Sequence, residues 1–132
     1  MNETMSQIVC SLLEARTVAH KHHLATTSYA QHMALGEFYE GIGEIADTLA
    51  EESQGYLGEL LDLGLESPAT TRHILSSGYA AEDDPQEFLE VLESQLRSLR
   101  DGIPESATHI LNTMDSAFSL ISRTQYKLRF LS

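Results

Sequence analysis

The sequence is poor in several residue types on which large classes of protein depend. Cys10 is its only cysteine, which excludes a disulfide scaffold and a cysteine-based zinc finger and fits a reducing compartment. The chain has 8 Lys and Arg against 20 Asp and Glu. Because phosphate contacts need clustered basic side chains, we expect no nucleic-acid partner. No apolar run approaches the roughly 20 residues of a membrane span, so no membrane association is expected.

The remaining composition indicates one soluble, acidic domain. The chain has 132 residues and a net charge of −12, and 42% of its residues are hydrophobic. That fraction is enough for one core and too high for a disordered chain. The first residues lack the basic and apolar regions of a secretory signal. We therefore expect a single domain over residues 1–132, located in the cytoplasm.

Apolar residues recur at helical spacing in four long segments, and no strand-like alternation is visible in the sequence. The segments cover residues 4–24, 29–53, 85–100 and 106–131. Their apolar faces are formed by Ile8, Leu12, Leu13, Ala15, Ala19 and Leu24, then Leu35, Phe38, Ile42, Ala46 and Leu49, then Phe88, Leu92, Leu96 and Leu99, and finally Ile110, Met114, Ala117, Phe118, Ile121 and Leu128. Four amphipathic helices of this length predict an all-α four-helix bundle.

Capping residues predict where these helices begin and end. Residues 26–28 are all of N-cap type and separate the first helix from the second. Gly55 predicts the end of the second helix. Asp84 stands before Pro85, and Glu87 completes a capping box, which together predict the start of the third helix.

The connection between the second and third helices is unusually long, at about 30 residues, where bundle loops are commonly short. Ser67 and Pro68 predict a short helix within it that ends near Gly78. A connection of this length can cross the bundle, so that the second pair of helices runs in the opposite sense.

Histidines are concentrated around the junction of the first two helices, and carboxylates follow along the second helix. Three histidines close the first helix, namely His20, His22 and His23. His32 lies early in the second helix, and Asp47 and Glu51 follow further along it. The two carboxylates are four residues apart, so their side chains can converge on one metal ion. Imidazole nitrogens and carboxylate oxygens are common metal ligands.

A second copy of the chain is needed to bring His32 to these carboxylates. Fifteen residues at 1.5 Å per residue place His32 about 22 Å from Asp47 along the helix axis. An antiparallel copy of the helix, related by a two-fold axis near residue 40, would place His32 opposite Asp47 and Glu51 of the other chain. The sequence therefore predicts at least a homodimer with two shared His/carboxylate sites.

Gly36 and Gly43 lie symmetrically about the same point of the second helix. Each costs about 1 kcal/mol relative to alanine inside a helix. We expect this cost to be offset by the close approach of another backbone.

The order His20, His32, Asp47 and Glu51, with eleven, fourteen and three residues between them, resembles the ferroxidase motif of the Dps branch of the ferritin-like superfamily. In that family, two histidines of one subunit and an Asp-x-x-x-Glu pair of its two-fold mate bind iron. Residues 23–39 are also similar to small Dps-like proteins encoded by tailed phages. The chain has Gly36 where the family has a carboxylate.

The resemblance implies a ferritin-like four-helix bundle with a short helix in the long connection, assembled from homodimers into a twelve-subunit cage. The implied function is metal binding at an inter-subunit site, with iron oxidised by dioxygen or peroxide and then stored. The implied location is the host cytoplasm, or a virion if the chain is phage-encoded. The metal ligands would be His32, Asp47 and Glu51, together with either His20 or His23.

Two alternatives share this fold. The same donors also suit zinc, and a chain that has lost the chemistry would be a structural or interaction protein. Tyr29 and Tyr39 are either core residues or, if the site holds iron, radical quenchers beside it.

Overall fold

Four long α-helices make up most of the computed structural model, which describes residues 1–65 and 84–132. In chain order they are α1 (Asn2–Ala25), α2 (Tyr29–Leu57), α3 (Pro85–Arg100) and α4 (Thr108–Phe130). The described residues contain no strand, so the predicted all-α class is confirmed. The short helix predicted from residue 67 to residue 78 lies outside the described residues.

Local capping interactions set the predicted helix starts. The Ser28 side chain accepts a hydrogen bond from the backbone N–H of Gln31 at the start of α2. The Asp84 carboxylate accepts one from the backbone N–H of Gln86 at the start of α3. Both starts agree with the sequence, because an N-cap needs only a side chain within reach of the first helical turn.

The end of α2 lies beyond the predicted position. The helix continues through Gly55 to Leu57, and Gly58 caps it in the left-handed conformation with φ of 70°. The Gln54 side chain then accepts a hydrogen bond from the backbone N–H of Leu61. Two glycines were available as caps, and only Gly58 takes the conformation that ends a helix.

Contacts at both ends of the helices establish their directions. The ring of His22, near the end of α1, lies 5.9 Å from the ring of Phe88 in the first turn of α3. Thr4, at the start of α1, lies against Gly102 just beyond α3. These two contacts make α1 and α3 antiparallel.

The pair formed by α2 and α4 is antiparallel for the same reason. Thr113 donates a hydrogen bond of 2.6 Å to Glu52 near the end of α2, and Lys127 forms an ion pair with Glu37 near its start. The remaining neighbouring pairs are the α1–α2 and α3–α4 hairpins. Each described helix therefore packs against two antiparallel neighbours.

This arrangement makes α2 and α3 run in the same direction. Just beyond the end of α2, Glu59 accepts a hydrogen bond of 3.0 Å from the Asn2 side chain, at the start of α1. The start of α3 lies instead beside the end of α1. The directions of the second pair of helices are thus those expected if the connection between α2 and α3 crosses the bundle.

The interior between the helices is apolar. The largest fully buried side chains are Met5, Ile8, Leu12, Leu35, Phe38, Ile42, Leu49, Phe88, Leu89, Leu92 and Leu96. In the described part of the chain the buried polar residues are Ser6, Ser11, Ser53 and Thr124, with no His, Asp or Glu among them. Any metal site built from the described residues therefore lies on the bundle surface. None of the described helices combines the length and apolar character needed to span a bilayer.

Two residues predicted on the apolar face of the first helix, Leu13 and Leu24, are instead exposed, and so is Tyr29, for which a core position was one of two alternatives. Leu13 is 36% exposed, Leu24 is 70% exposed and Tyr29 is 77% exposed. Their positions fall beside the buried stripe rather than on it, because each neighbouring helix covers only part of the circumference of α1 or α2. Tyr39, by contrast, packs against the core.

Candidate metal-binding site

Three of the predicted histidines come together where α1 turns into α2. The rings of His23 and His32 stack with their centroids 3.7 Å apart and their planes 18° from parallel. The ring of His20 lies 6.0 Å from that of His23 and stacks on Tyr39 at 4.3 Å. The short turn after Ala25 produces this cluster, since it folds the end of α1 back onto the start of α2.

Reciprocal hydrogen bonds assign the tautomer of the stacked pair. Nδ1 of His23 lies 2.6 Å from the carbonyl oxygen of His32, and Nδ1 of His32 lies 2.8 Å from the carbonyl oxygen of His23. A carbonyl oxygen only accepts, so each Nδ1 carries the hydrogen and donates it. In the neutral rings both Nε2 atoms therefore keep a free lone pair, which is the form that binds metals.

Glycines in α2 make room for side chains of α1. A Cβ atom at Gly36 would lie 3.1 Å from Cε1 and 3.3 Å from Nδ1 of His23. At Gly43 it would lie 3.0 Å from Cδ and 3.1 Å from Nε of Arg16. Within one chain, the atoms nearest these two glycines are therefore side-chain atoms and not the backbone of another described helix.

One register thus relates the facing residues of α1 and α2. His23 lies over Gly36, His20 over Tyr39, and Arg16 over Gly43. The roles of Arg16 and of Tyr39 as the platform for His20 were not recognised from the sequence. Their only signal is the spacing of three and four residues along α1, which matches the spacing along α2.

The predicted carboxylates lie away from the histidine cluster. Asp47 and Glu51 are exposed on consecutive turns of α2, and neither has an ion-pair partner among the described residues. No group of three His, Cys, Asp or Glu side chains within the described residues lies close enough together to hold a metal ion. A single chain therefore brings the three histidines together without Asp47 and Glu51.

Two other histidines have different surroundings. His22 points toward Phe88, on the side of α1 that faces α3. His109 lies 5.5 Å from Tyr56, at the opposite end of the bundle from the cluster. Neither belongs to the candidate site.

Glu37 differs from the exposed carboxylates further along α2 because it has a basic partner among the described residues. Its hydrogen bond and ion pair with Lys127 lower the pKa of the Glu37 carboxyl, with a smaller contribution from Arg123. The negative charge of Glu37 is thus already balanced by Lys127 of the same chain. At Cys10, burial and the neighbouring Asp62 raise the pKa of the thiol, which keeps it protonated and a poor metal ligand.

Comparison with known proteins adds a family and no function. No curated protein and no solved structure matches the chain. One family model, described as a family of unknown function, matches residues 23–128. That range contains His23, His32, Asp47 and Glu51. Because the match covers most of the sequence, the chain belongs to this family of unknown function, DUF5856.

Proposed function

We propose that the chain is a ferritin-like, Dps-like metal-binding protein whose site is completed when two copies pair. The observation that carries the proposal is the reciprocal bonding of His23 and His32. Histidine ligands of metal sites commonly donate their second ring N–H to a backbone carbonyl, which orients the ring and fixes the tautomer. Here both rings are held in that form by 2.6 Å and 2.8 Å contacts.

The second half of the site would come from a two-fold mate. At 1.5 Å per residue, His32 and Asp47 of one chain lie about 22 Å apart along α2. A two-fold axis near residue 40 would place His32 of one chain at the level of Asp47 and Glu51 of the partner subunit. Both carboxylates are exposed and lack ion-pair partners among the described residues. Each completed site would then combine an imidazole nitrogen of one subunit with the two carboxylates of its mate.

The charge on this face supports a role for cations in pairing. Glu40, Glu44, Asp47 and Glu51 are all exposed along α2. Two such faces brought together repel each other unless positive charge lies between them. A divalent ion at each shared site would supply that charge, so we expect pairing to depend on metal.

The helix arrangement is compatible with the same proposal. All neighbouring helices among the described residues are antiparallel, while α2 and α3 run the same way, an arrangement that needs a connection long enough to cross the bundle. The apolar interior leaves the surface as the place for a metal site. Assembly of the dimers into a twelve-subunit cage is part of the ferritin-like proposal.

Fe²⁺ is the first substrate to assay. The carboxylates of Asp47 and Glu51 would stabilise the higher charge of Fe³⁺ relative to Fe²⁺, with dioxygen or peroxide as the oxidant. Oxidation of Fe²⁺ in air is followed by the near-ultraviolet absorbance of ferric species, against a protein-free control. Elemental analysis of untagged protein measures the metal that is carried through purification.

The Asp47→Ala variant tests the site assignment. Asp47 is exposed, so the variant should fold as the wild type does, while its metal content and its rate of iron oxidation fall. Glu90→Ala, which removes one exposed carboxylate from α3, is the charge-matched control and should behave as the wild type does. Equal metal binding by Asp47→Ala would refute the assigned site, and oxidation no faster than the protein-free control would refute the iron reaction.

A structural or interaction protein with the same fold is the second candidate. It is favoured by the lack of any three metal-binding side chains close together within the described residues of one chain. In that case, untagged protein would carry no metal and would pair equally well in the presence of a chelator.

A further inference from the structure

Basic and exposed aromatic side chains are concentrated at the end of α4. Residues 123–132 contain three of the eight Lys and Arg residues of the chain and no Asp or Glu. Tyr126 is 55% exposed and Phe130 is 68% exposed, and their rings lie 5.9 Å apart on consecutive turns of the helix. Exposed apolar side chains that contact each other inside a polar rim are typical of an interaction surface.

Two arginines flank this aromatic pair. At about 100° per residue, Arg123 and Arg129 lie roughly 60° to either side of Tyr126 around the helix axis. Both arginines are exposed, and neither has an ion-pair partner among the described residues. Lys127, by contrast, is paired with Glu37 of α2. Unpaired positive charge therefore lies on both sides of the aromatic pair.

An open groove between α2 and α4 adjoins the aromatic pair. Its volume is about 200 Å³, and its lining residues are Ala30, Met33, Ala34, Glu37, Lys127 and Leu131. Met33 is 47% exposed and Leu131 is 56% exposed. Small-molecule sites usually have volumes of roughly 300–1,000 Å³. The groove therefore suits an apolar side chain of a partner better than a whole ligand.

We propose that the α4 docking surface, formed by this groove, the aromatic pair and the two arginines, binds an acidic amphipathic helix of a partner protein. Apolar side chains of that helix enter the groove and pack on Tyr126 and Phe130, as in other helix-in-groove complexes. Its Asp and Glu side chains pair with Arg123 and Arg129. Tyrosine and arginine are among the residue types that most often dominate binding energy at protein interfaces. This binding goes beyond the proposed function and needs no metal.

The charge of the remaining surface favours an acidic helix over a membrane or a nucleic acid. The chain has a net charge of −12. An anionic bilayer or a duplex is an extended array of negative charge, so the acidic remainder of the chain repels it. A single helix interacts mainly with charges within about 8 Å at physiological ionic strength. Its carboxylates therefore meet the arginines of the α4 docking surface without this wider repulsion.

Three labelled synthetic helical peptides of equal length test this proposal by fluorescence anisotropy. The first has leucine at positions i, i+3 and i+7 and glutamate on both sides of that stripe. The second has lysine in place of every glutamate, and the third has alanine in place of every leucine. Only the first should bind saturably, with an affinity that falls as the salt concentration rises.

Variants at exposed positions assign the binding to the α4 docking surface. Phe130→Ala should raise the Kd of the first peptide at least about fivefold, whereas Tyr56→Ala, which removes a ring that is 45% exposed on α2, should leave it unchanged. The double variant Arg123→Gln/Arg129→Gln should weaken binding and remove most of its salt dependence. Lys21→Gln, which removes one exposed positive charge from α1, is the control for charge and should bind as the wild type does.

The other outcomes overturn the proposal. Equal binding of all three peptides, no binding of the first, or wild-type affinity in both the Phe130 and the arginine variants would each do so. Binding of phosphatidylglycerol vesicles or duplex DNA in place of the peptide, lost in the arginine variant, would assign the surface to an extended polyanion. Self-association that sedimentation velocity shows to be weakened by Phe130→Ala, without peptide binding, would assign it to a second copy of the chain.

Discussion

Replacing Phe88 by alanine should destabilise the protein strongly and, in doing so, test the direction of α3. Phe88 is fully buried in the first turn of α3. Its ring lies 5.9 Å from His22 of α1 and packs edge-on against Phe38 of α2 at 6.3 Å. The residue therefore joins three helices at the end of the bundle where α2 begins.

The expected loss in the free energy of unfolding follows from the burial of Phe88 and from its ring contact with Phe38. Truncation of a buried phenylalanine to alanine costs about 3–5 kcal/mol. A favourable aromatic pair contributes roughly 0.5–1.5 kcal/mol of that amount. A domain of this kind has a free energy of unfolding of about 5–15 kcal/mol, so the substitution removes a large fraction of it and should lower the denaturation midpoint strongly.

Urea denaturation followed by far-ultraviolet circular dichroism measures this loss, at one fixed protein concentration because pairing would contribute to stability. Tyr126→Ala removes an aromatic ring that is 55% exposed on α4, and it should change the free energy of unfolding by less than about 0.5 kcal/mol. A double-mutant cycle of Phe38→Ala and Phe88→Ala should give a coupling energy of about 0.5–1.5 kcal/mol.

The coupling energy distinguishes the observed topology from a simple up-and-down bundle. If α3 began beside the end of α2, Phe88 would be about 24 Å from Phe38 along the bundle axis, and the two substitutions would be additive. Additive effects, or a loss below about 1 kcal/mol for Phe88→Ala, would refute the placement of α3.

Two further predictions follow from the start of α2 and from its ion pair. Ser28→Ala should lower the free energy of unfolding by about 0.5–2 kcal/mol, because it removes the acceptor for the Gln31 backbone N–H; Ser98→Ala, at an exposed position inside α3, is the control, and equal effects would contradict the capping role. Lys127 lowers the pKa of Glu37 in the folded chain, so this stabilisation is present above the pKa of the unfolded carboxyl and is lost as the pH falls through the lower folded pKa. Lys127→Gln should therefore differ from wild type by less than about 1 kcal/mol at neutral pH, because Glu37 is exposed, and by less still in acid. A difference in denaturation midpoint that does not change with pH would contradict this assignment.

Helix starts and buried stripes were predictable from the sequence because they depend on residues close together in the chain. Ser28 and Asp84 begin their helices as predicted. A cap side chain bonds to a backbone N–H only two or three residues away. The buried positions of α3, such as Phe88 and Leu92, likewise follow from the helical period alone.

The end of α2 shows where this local reasoning fails. Gly55 and Gly58 are both reasonable helix terminators by sequence, and Gly58 is the one with positive φ. The Gln54 side chain bonds to the backbone of Leu61, and Asn2 bonds to Glu59 from the start of α1. These contacts hold the chain beyond the helix, and the second depends on a residue more than fifty positions away.

The candidate site also has features that were predictable from the sequence and features that only the tertiary structure shows. The sequence by itself determined that His20, His23 and His32 flank the junction of the first two helices, and that His32 and Asp47 lie about 22 Å apart on one helix. Only the tertiary structure showed that His23 stacks on His32 and that Gly36 accommodates the ring of His23. The physical reason is that periodicity and capping act within a few residues, whereas the register between α1 and α2 is set by how their side chains pack across the helix interface.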